Sequence, residues 1–488
     1  MKNAFVINED NSHFFGSRTA AEMTLDGLNA FVDQYADTAV THLFLCPNAM
    51  TASFHSATRS AIWDRADASI KSRWPGNAKL LHERKLDPYA VWITRCREKG
   101  VSPWISMRMN DVHSVNEPGN FMHSSFWIDH PQFQRVPNAT AGPWTNRAMN
   151  YAHAEVREHQ MAFVKELLER YEPDGIELDW MRFGHHLTPG KEREEAGILT
   201  QFVREVRALT ETWSRKRGRR IALAVRVPAH PDAAAGLGMD GVAWAKEGLV
   251  DALIPCPFWT SSDFDIPVEL WRERLGTAAT NVSVVPGLEH NSRPWPGGKP
   301  VANDLGAVYG FAESARARGA DGVYLFNFMD SGTRPVPHSE YRKLVEQGVG
   351  ADVARAVQRR FPVCFRDTVP PGFANGVCLP LDGRRGGTLE IHVGTPQATD
   401  VVSVVLGLAQ REGVPSAEFA VKANGGVTAQ TKDLPNCRGL GGGSARAMTF
   451  TIPAAALRPG HQTIVVRQTG DGAEQQVVWA EIRLSPGG

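Results

Sequence analysis

The chain has 488 residues, and several familiar signals are missing from it. No run of about 18 apolar residues occurs, so nothing reads as a membrane-spanning helix. Neither sign of charge prevails: 53 Lys and Arg stand against 53 Asp and Glu. That balance removes the general basicity on which a nucleic-acid binder depends. Six cysteines are scattered at positions 46, 96, 256, 364, 378 and 437 without a CxxC pair, so neither a zinc knuckle nor a disulfide-dense scaffold is indicated. There is no HExxH and no HxH after the first apolar run, and His185-His186 are adjacent, so their side chains do not converge on one ion. The glycine runs at Gly386-Gly387 and Gly441-Gly442-Gly443 lack the Lys-Ser/Thr of a phosphate loop. No metal or cofactor is expected. The start, MKNAFVINED, turns acidic at once and has no apolar signal core; as it stands the expected location is cytoplasmic, with export after removal of a leader as the alternative. Tyrosine is scarce at 7 residues, whereas tryptophan reaches 13.

What is present is alternation. Short apolar runs at residues 4–8, 41–46, 102–109, 174–179, 220–227, 250–256, 282–286 and 320–327 have the length of buried parallel strands. Helical patterns lie between them. Asp87-Pro88 reads as an N-cap followed by proline at the first helical position. Ile198, Phe202, Val206, Leu209 and Trp213 share one helix face, as do Leu305, Val308, Ala312 and Ala315. Ser339 is placed as the cap of a last short helix. Eight βα units predict a (β/α)₈ barrel over residues 1–360. A doubly wound sheet would also alternate, but the first strand runs into Asn8-Glu9-Asp10-Asn11 with no GxGxxG. The long connections follow the second, third and seventh strands, on the face where barrel active sites lie. After residue 360 the helical period vanishes. Runs at 387–393, 447–452, 462–468 and 475–484 between glycine-rich turns predict an all-β sandwich over residues 361–488. With one tryptophan, Trp479, and no tyrosine, that sandwich is expected to be a structural module more than a glycan binder.

The sharpest motif is Asp174-Gly175-Ile176-Glu177-Leu178-Asp179-Trp180-Met181-Arg182. Alternate side chains of a strand share a face, which sends Glu177 and Asp179 together into the barrel. Asp179, at the strand's C-terminal edge, is an active-site candidate. Glu177 is either part of the site or a structural acid paired with Arg108 or Arg226. The motif, together with Gly319-Ala-Asp-Gly-Val-Tyr-Leu-Phe-Asn327, resembles the glycoside hydrolase family-10-like barrel proteins over the barrel's length. It is also similar to the chitinase signature DxxDxDxE, with Asp174, Glu177 and Asp179 at the three acidic positions. Met181 stands where the chitinase general acid would be, and a thioether donates no proton, so the resemblance implies a shared fold without that chemistry.

Hydrolysis of a glycosidic bond ordinarily takes two carboxyl groups. The seventh strand ends Pro286-Gly287-Leu288-Glu289, and Glu289 is the expected partner of Asp179; its other reading is a solvated loop acid. The resemblance supports the choice, because many retaining barrel glycosidases place their pair on strands four and seven. Asp330, Asp263 and Asp265 are held in reserve, Asp265 being discounted as an N-cap. Arg108, Asn110, His113, Arg226 and Asn327 fall at strand ends and are expected to bind substrate. Trp104, Trp180 and Trp259, with Trp144 and Trp295, supply flat apolar faces in the same zone. The expectation is a glycosidase acting on an oligo- or polysaccharide. The alternatives are a barrel that binds carbohydrate without catalysis and a metal-dependent barrel lyase or hydrolase.

Overall fold

The computed structural model describes residues 1–67, 69–258, 261–330, 337–410, 418–433 and 437–487. Six parallel strands open the barrel: β1 (Ala4–Glu9), β2 (His42–Leu45), β3 (Ser102–Arg108), β4 (Gly175–Asp179), β5 (Ala222–Pro228) and β6 (Ala252–Cys256). The seventh strand is broken in two, β7 (Ser283–Val284) and β8 (Gly287–Glu289). The first piece pairs with β6. After a short hairpin, β9 (Asn291–Ser292) with β10 (Val301–Ala302), the eighth barrel strand is β11 (Gly322–Phe326). It pairs with β1 on one side and with β8 on the other, which closes the barrel. Proline explains the break: Pro286 has no N–H to donate to a ladder, yet its carbonyl accepts from Tyr324 N at 3.1 Å.

The helices behind these strands form as their sequences direct. Asp87 caps Pro88–Glu98 by accepting from the amides of Tyr89 and Ala90. Ala196–Arg217 buries Leu199, Phe202, Val203 and Val206 along one face and stops at Gly218, whose φ of 66° is left-handed. One expectation fails locally. The helix His338–Gln347 begins before Ser339, with Pro337 at its cap position. Among the described residues no helix is long and apolar enough to cross a membrane.

Strand parity divides the core. Ile176 and Leu178 join the shell between sheet and helices. Ala4, Val6, Phe44, Trp104, Ala224 and Tyr324 fill the floor inside the barrel. Trp104 lies flat on Phe44, with ring centroids 4.8 Å apart. It also explains the glycine of the β4 motif, because a Cβ on Gly175 would fall 2.3 Å from the indole.

The C-terminal region is all β. One sheet runs β12 (Arg359–Pro362), β21 (Gln476–Ser485), β15 (Val401–Leu408), β19 (Arg446–Ile452) and β18 (Ala429–Asp433), with β13 (Leu381–Asp382) on β21. The other runs β14 (Gly387–Val393), β20 (Gly460–Gln468), β16 (Phe419–Ala423) and β17 (Gly426–Val427). Their facing side chains, among them Leu389, Val404, Phe450, Ile464 and Ile482, form a separate core. The first strand of this region starts at Arg359, beside the expected boundary at residue 360. Its backbone packs tightly on the helix Leu305–Ala317, since a Cβ on Gly310 would lie 2.1 Å from the carbonyl oxygen of Arg360.

Candidate active site

Above the apolar floor the barrel interior turns polar. Glu177 accepts hydrogen bonds from Ser106 and from Tyr324, the latter at 3.1 Å. Burial, and then the charge on Asp179, push the Glu177 carboxyl well above the usual carboxylate range. The expected direct pairing of Glu177 with Arg108 or Arg226 is not what forms. Arg226 instead puts Nη1 3.0 and 2.9 Å from the two oxygens of Asp179. Phe326 covers that guanidinium at 3.7 Å. Asp179 also accepts from the amides of Met181 at 3.0 Å and Arg182 at 2.9 Å. The carboxylate at the end of β4 is therefore fixed by one side chain and by the turn that follows it.

Glu289, at the end of β8, is held in a parallel way. It accepts from the amide of Asn291 at 2.9 Å and from Asn327 Nδ2 at 3.2 Å. His290 Nδ1 stands 2.7 Å from the same oxygen that Asn327 reaches. Asn327 reaches it from a left-handed backbone, φ 60°, which asparagine tolerates better than most residues. The Glu289 carbonyl is pinned by Asn303 at 2.7 Å and Ser262 at 3.1 Å. Asp179 is 1% exposed and Glu289 0%.

The residues that hold these acids, Arg182, Asn291 and Asn327, line a cleft of about 450 Å³ that the acids themselves do not line, within the range of small-ligand pockets. Arg108, His113, Arg182 and Asn327 line it, with Trp74 and Phe121 as an aromatic wall. Arg108 pairs with Asp10 and, at 3.2 Å, with Asp111. Burial pushes the Asp10 carboxyl up, but Arg108 and then Arg182 outweigh it and hold it well below its usual range. His113 Nδ1 faces Asp111 at 2.8 Å and its Nε2 faces Arg182 Nη2 at 2.7 Å. A guanidinium only donates, so Nε2 accepts and the ring proton sits on Nδ1. Burial, with Arg182 and Arg108 nearby, lowers the His113 pKa despite Asp111 and keeps the imidazole neutral. Next to Arg182, Phe183 has φ 64°, an outlier for a bulky residue and the kind of strain that concentrates at sites.

Several expected ligands are placed elsewhere. Trp104 belongs to the barrel floor. Trp180 is fully buried outside the barrel against Tyr151, His186, Phe202 and Trp244, because it follows Asp179 and so points the opposite way. Asn110 spends its amide on the loop: Nδ2 donates to the carbonyls of Met149 and His185, and Oδ1 accepts from Met149 N. Asp330 is bound to His13 at 2.8 Å and Arg18 at 2.5 Å and does not line the cleft. Asp265 is no helix cap; it pairs with Arg318 and with His461 of the sandwich, and Asp263 pairs with Arg366. Trp295 packs against the sandwich core. Trp259 lies outside the described residues. Asp174 sits at the other end of β4, bound to Ser102, Arg97 and Arg219, so its match to the chitinase pattern is structural.

Residues that the sequence reading passes over include Asp10, Asn11, Trp74, Arg182, His290 and Asn291, all on the cleft. A signal for the first two is the polar run Asn8-Glu9-Asp10-Asn11 at a strand C-terminus, the end where barrel active sites lie. Trp74 opens the helix Arg73–Glu83, and nothing local marks that helix as the one leaning over the mouth. Among the described residues no group of three or more His, Cys, Asp or Glu side chains is arranged to hold a metal ion.

No family model matches the chain, and no curated protein matches it. Solved structures do align. An endo-beta-1,4-mannanase from Thermotoga petrophila shares 12% identity at a TM-score of 0.42, over 98% of this chain and 97% of that one. A cycloisomaltooligosaccharide glucanotransferase from a Paenibacillus species shares 11% at 0.35, over 99% of this chain. This chain spans 57% of that protein's length. The glycoside hydrolase domain of PgaB from Bordetella bronchiseptica shares 13% at 0.38, over 71% of this chain and 99% of that one. Likeness at this level leaves the functional reading to the side chains of the cleft.

Proposed function

We propose that the chain is a glycoside hydrolase that cleaves an oligo- or polysaccharide at the C-terminal face of its barrel. One observation carries the reading. Two carboxyl groups, Asp179 and Glu289, stand at the ends of β4 and β8, each gripped by the amide two residues onward, behind residues that line a cleft combining polar groups with an aromatic wall. Side chains locked in this way meet the positional demand of acid/base catalysis. In the preferred assignment Asp179, in two-oxygen contact with Arg226, is the nucleophile or electrostatic stabiliser, and Glu289 is the proton donor. The reverse assignment uses the same pair. The resemblance of the β4 motif to the family-10-like barrels points to the same chemistry.

The test is turnover by Asp179→Asn and Glu289→Gln on an oligosaccharide panel, with circular dichroism confirming the fold. Each variant is expected to lose about 10²-fold to 10⁴-fold in kcat. Near-wild-type turnover by both folded variants overturns the pair.

A second reading is a barrel that binds carbohydrate without cleaving it. It is favoured by the burial of Asp179 and Glu289, while the acid that lines the cleft is Asp10. Saturable glycan binding by wild type with no release of reducing ends across the panel would establish it.

A further inference from the structure

We infer that the cleft takes a neutral, hydroxyl-rich glycan, and that the carboxamide of Asn11 is a specificity-determining group for it. The inference rests on the carbohydrate reading above and names the substrate class of the same site.

Asn11 follows β1 and lines the cleft. It is 2% exposed, and neither its Nδ2 nor its Oδ1 has a hydrogen-bond partner. A buried amide with both atoms unmet is costly, and nearly all such groups in folded proteins are satisfied. Its backbone is tied down, since Ser53 Oγ donates to its carbonyl at 3.1 Å. Just before it, Asp10 is fixed by the amide and hydroxyl of Ser12 at 2.8 and 2.7 Å and by Arg108. A rigid donor and acceptor side by side fit a partner that accepts and donates at once. A sugar hydroxyl does both, whereas a carboxylate or phosphate only accepts.

The charges point the same way. Arg108 and Arg182 line the cleft, with Arg226 buried close by, which by itself suggests an anionic ligand. Asp10, Asp111 and Asp179 stand against them. Arg108 already engages Asp10 and Asp111, and Arg226 engages Asp179. Arg182 faces the neutral imidazole of His113. An acidic sugar would therefore meet Arg108 and Arg226 already engaged by carboxylates, and would bring its own charge beside Asp10. A neutral ring meets no such conflict, and Trp74 and Phe121 offer it an apolar wall.

The experiment is isothermal titration of the full chain with mannotetraose, cellotetraose and maltotetraose as neutral probes and tetragalacturonate as the acidic one. The expected result is that at least one neutral probe binds at least tenfold more tightly than tetragalacturonate. Asn11→Ala should then weaken that binding at least tenfold with its melting temperature unchanged. Tetragalacturonate binding as tightly as the best neutral probe overturns the inference, and that comparison needs no variant. Unchanged affinity in Asn11→Ala, whatever its melting temperature, also overturns it, and a lowered melting temperature beside it would mark the amide as purely structural. If neutral probes bind and either of these results follows, only this inference falls. If none of the four binds, the carbohydrate reading falls with it.

Discussion

Glu177 is buried inside the barrel with hydrogen bonds from Ser106 and Tyr324 on one oxygen and none on the other. Burial and the neighbouring Asp179 raise its pKa. The consequence for stability has a definite sign. The folded chain keeps a proton that the unfolded chain releases from about pH 4.3 upward. The favourable contribution is complete below that pH and is lost as pH rises through the raised folded value. Glutamine does not titrate, so Glu177→Gln should flatten this decline. Its melting temperature at about pH 8 should equal or exceed that of wild type in a thermal scan. A steep loss at that pH would show that the site needs Glu177 charged. Asp179 is the opposite case. Asp179→Asn leaves the buried Arg226 without its counter-ion, and removing one partner of a buried pair costs about 3–5 kcal/mol. Urea unfolding of that variant should show a loss of this size. For that reason Glu289→Gln, which breaks no ion pair with an arginine, is the cleaner probe of chemistry.

Among the elements, the helix Ala196–Arg217 gives a test free of packing effects. Gly218 ends it at φ 66°, and a Cβ there would meet nothing within 4 Å. Gly218→Ala should therefore cost only the left-handed backbone, about 1 kcal/mol by chemical denaturation. Elements were also where the sequence was most legible. Seven barrel strands, and the first piece of the broken seventh, lie where short apolar runs stand, because a strand buried on both faces is written as a continuous apolar run, while β8 follows the run at 282–286. Parity placed Glu177 and Asp179 inside and Ile176 and Leu178 outside. What parity could not show is depth. Trp104 and Arg108 share the inner face of β3, yet one is floor and the other lines the cleft. Nor could it show which long connection leans over the mouth, so the aromatic wall of Trp74 and Phe121 is not legible, whereas parity alone sends Trp180, which follows Asp179, out of the barrel. In the sandwich, β15 is the apolar run Val401–Leu408, a strand beyond the four runs that the sequence marks.

For the whole molecule, the join between barrel and sandwich is a packed and ion-paired surface. Arg359 is fully buried between Glu313 of the barrel, at 2.9 Å, and Asp400 of the sandwich. Arg360 joins Asp304 at 2.6 Å to Glu481 at 2.8 Å. The chain then returns along the barrel rim, where Asp367 accepts from the amide of Phe258 at 2.9 Å and from Ser261. The sandwich thus braces the loop after β6, whose Ser262 pins the Glu289 carbonyl. Removing residues 359–488 should lower the barrel's melting temperature by several degrees or more and reduce turnover. An unchanged melting temperature would show that the sandwich is an independent module.

The account turns on Asp179 and Glu289 acting on a glycosidic bond in the cleft. The most direct measurement is a crystal structure of Glu289→Gln with a bound oligosaccharide that wild type cleaves. The account predicts a sugar ring against Trp74 and Phe121, the scissile oxygen within hydrogen-bond reach of residue 289, and side-chain carboxyl positions at 179 and 289 about 5–9.5 Å apart. A ring bound away from both residues, or a separation far beyond that range, would contradict it.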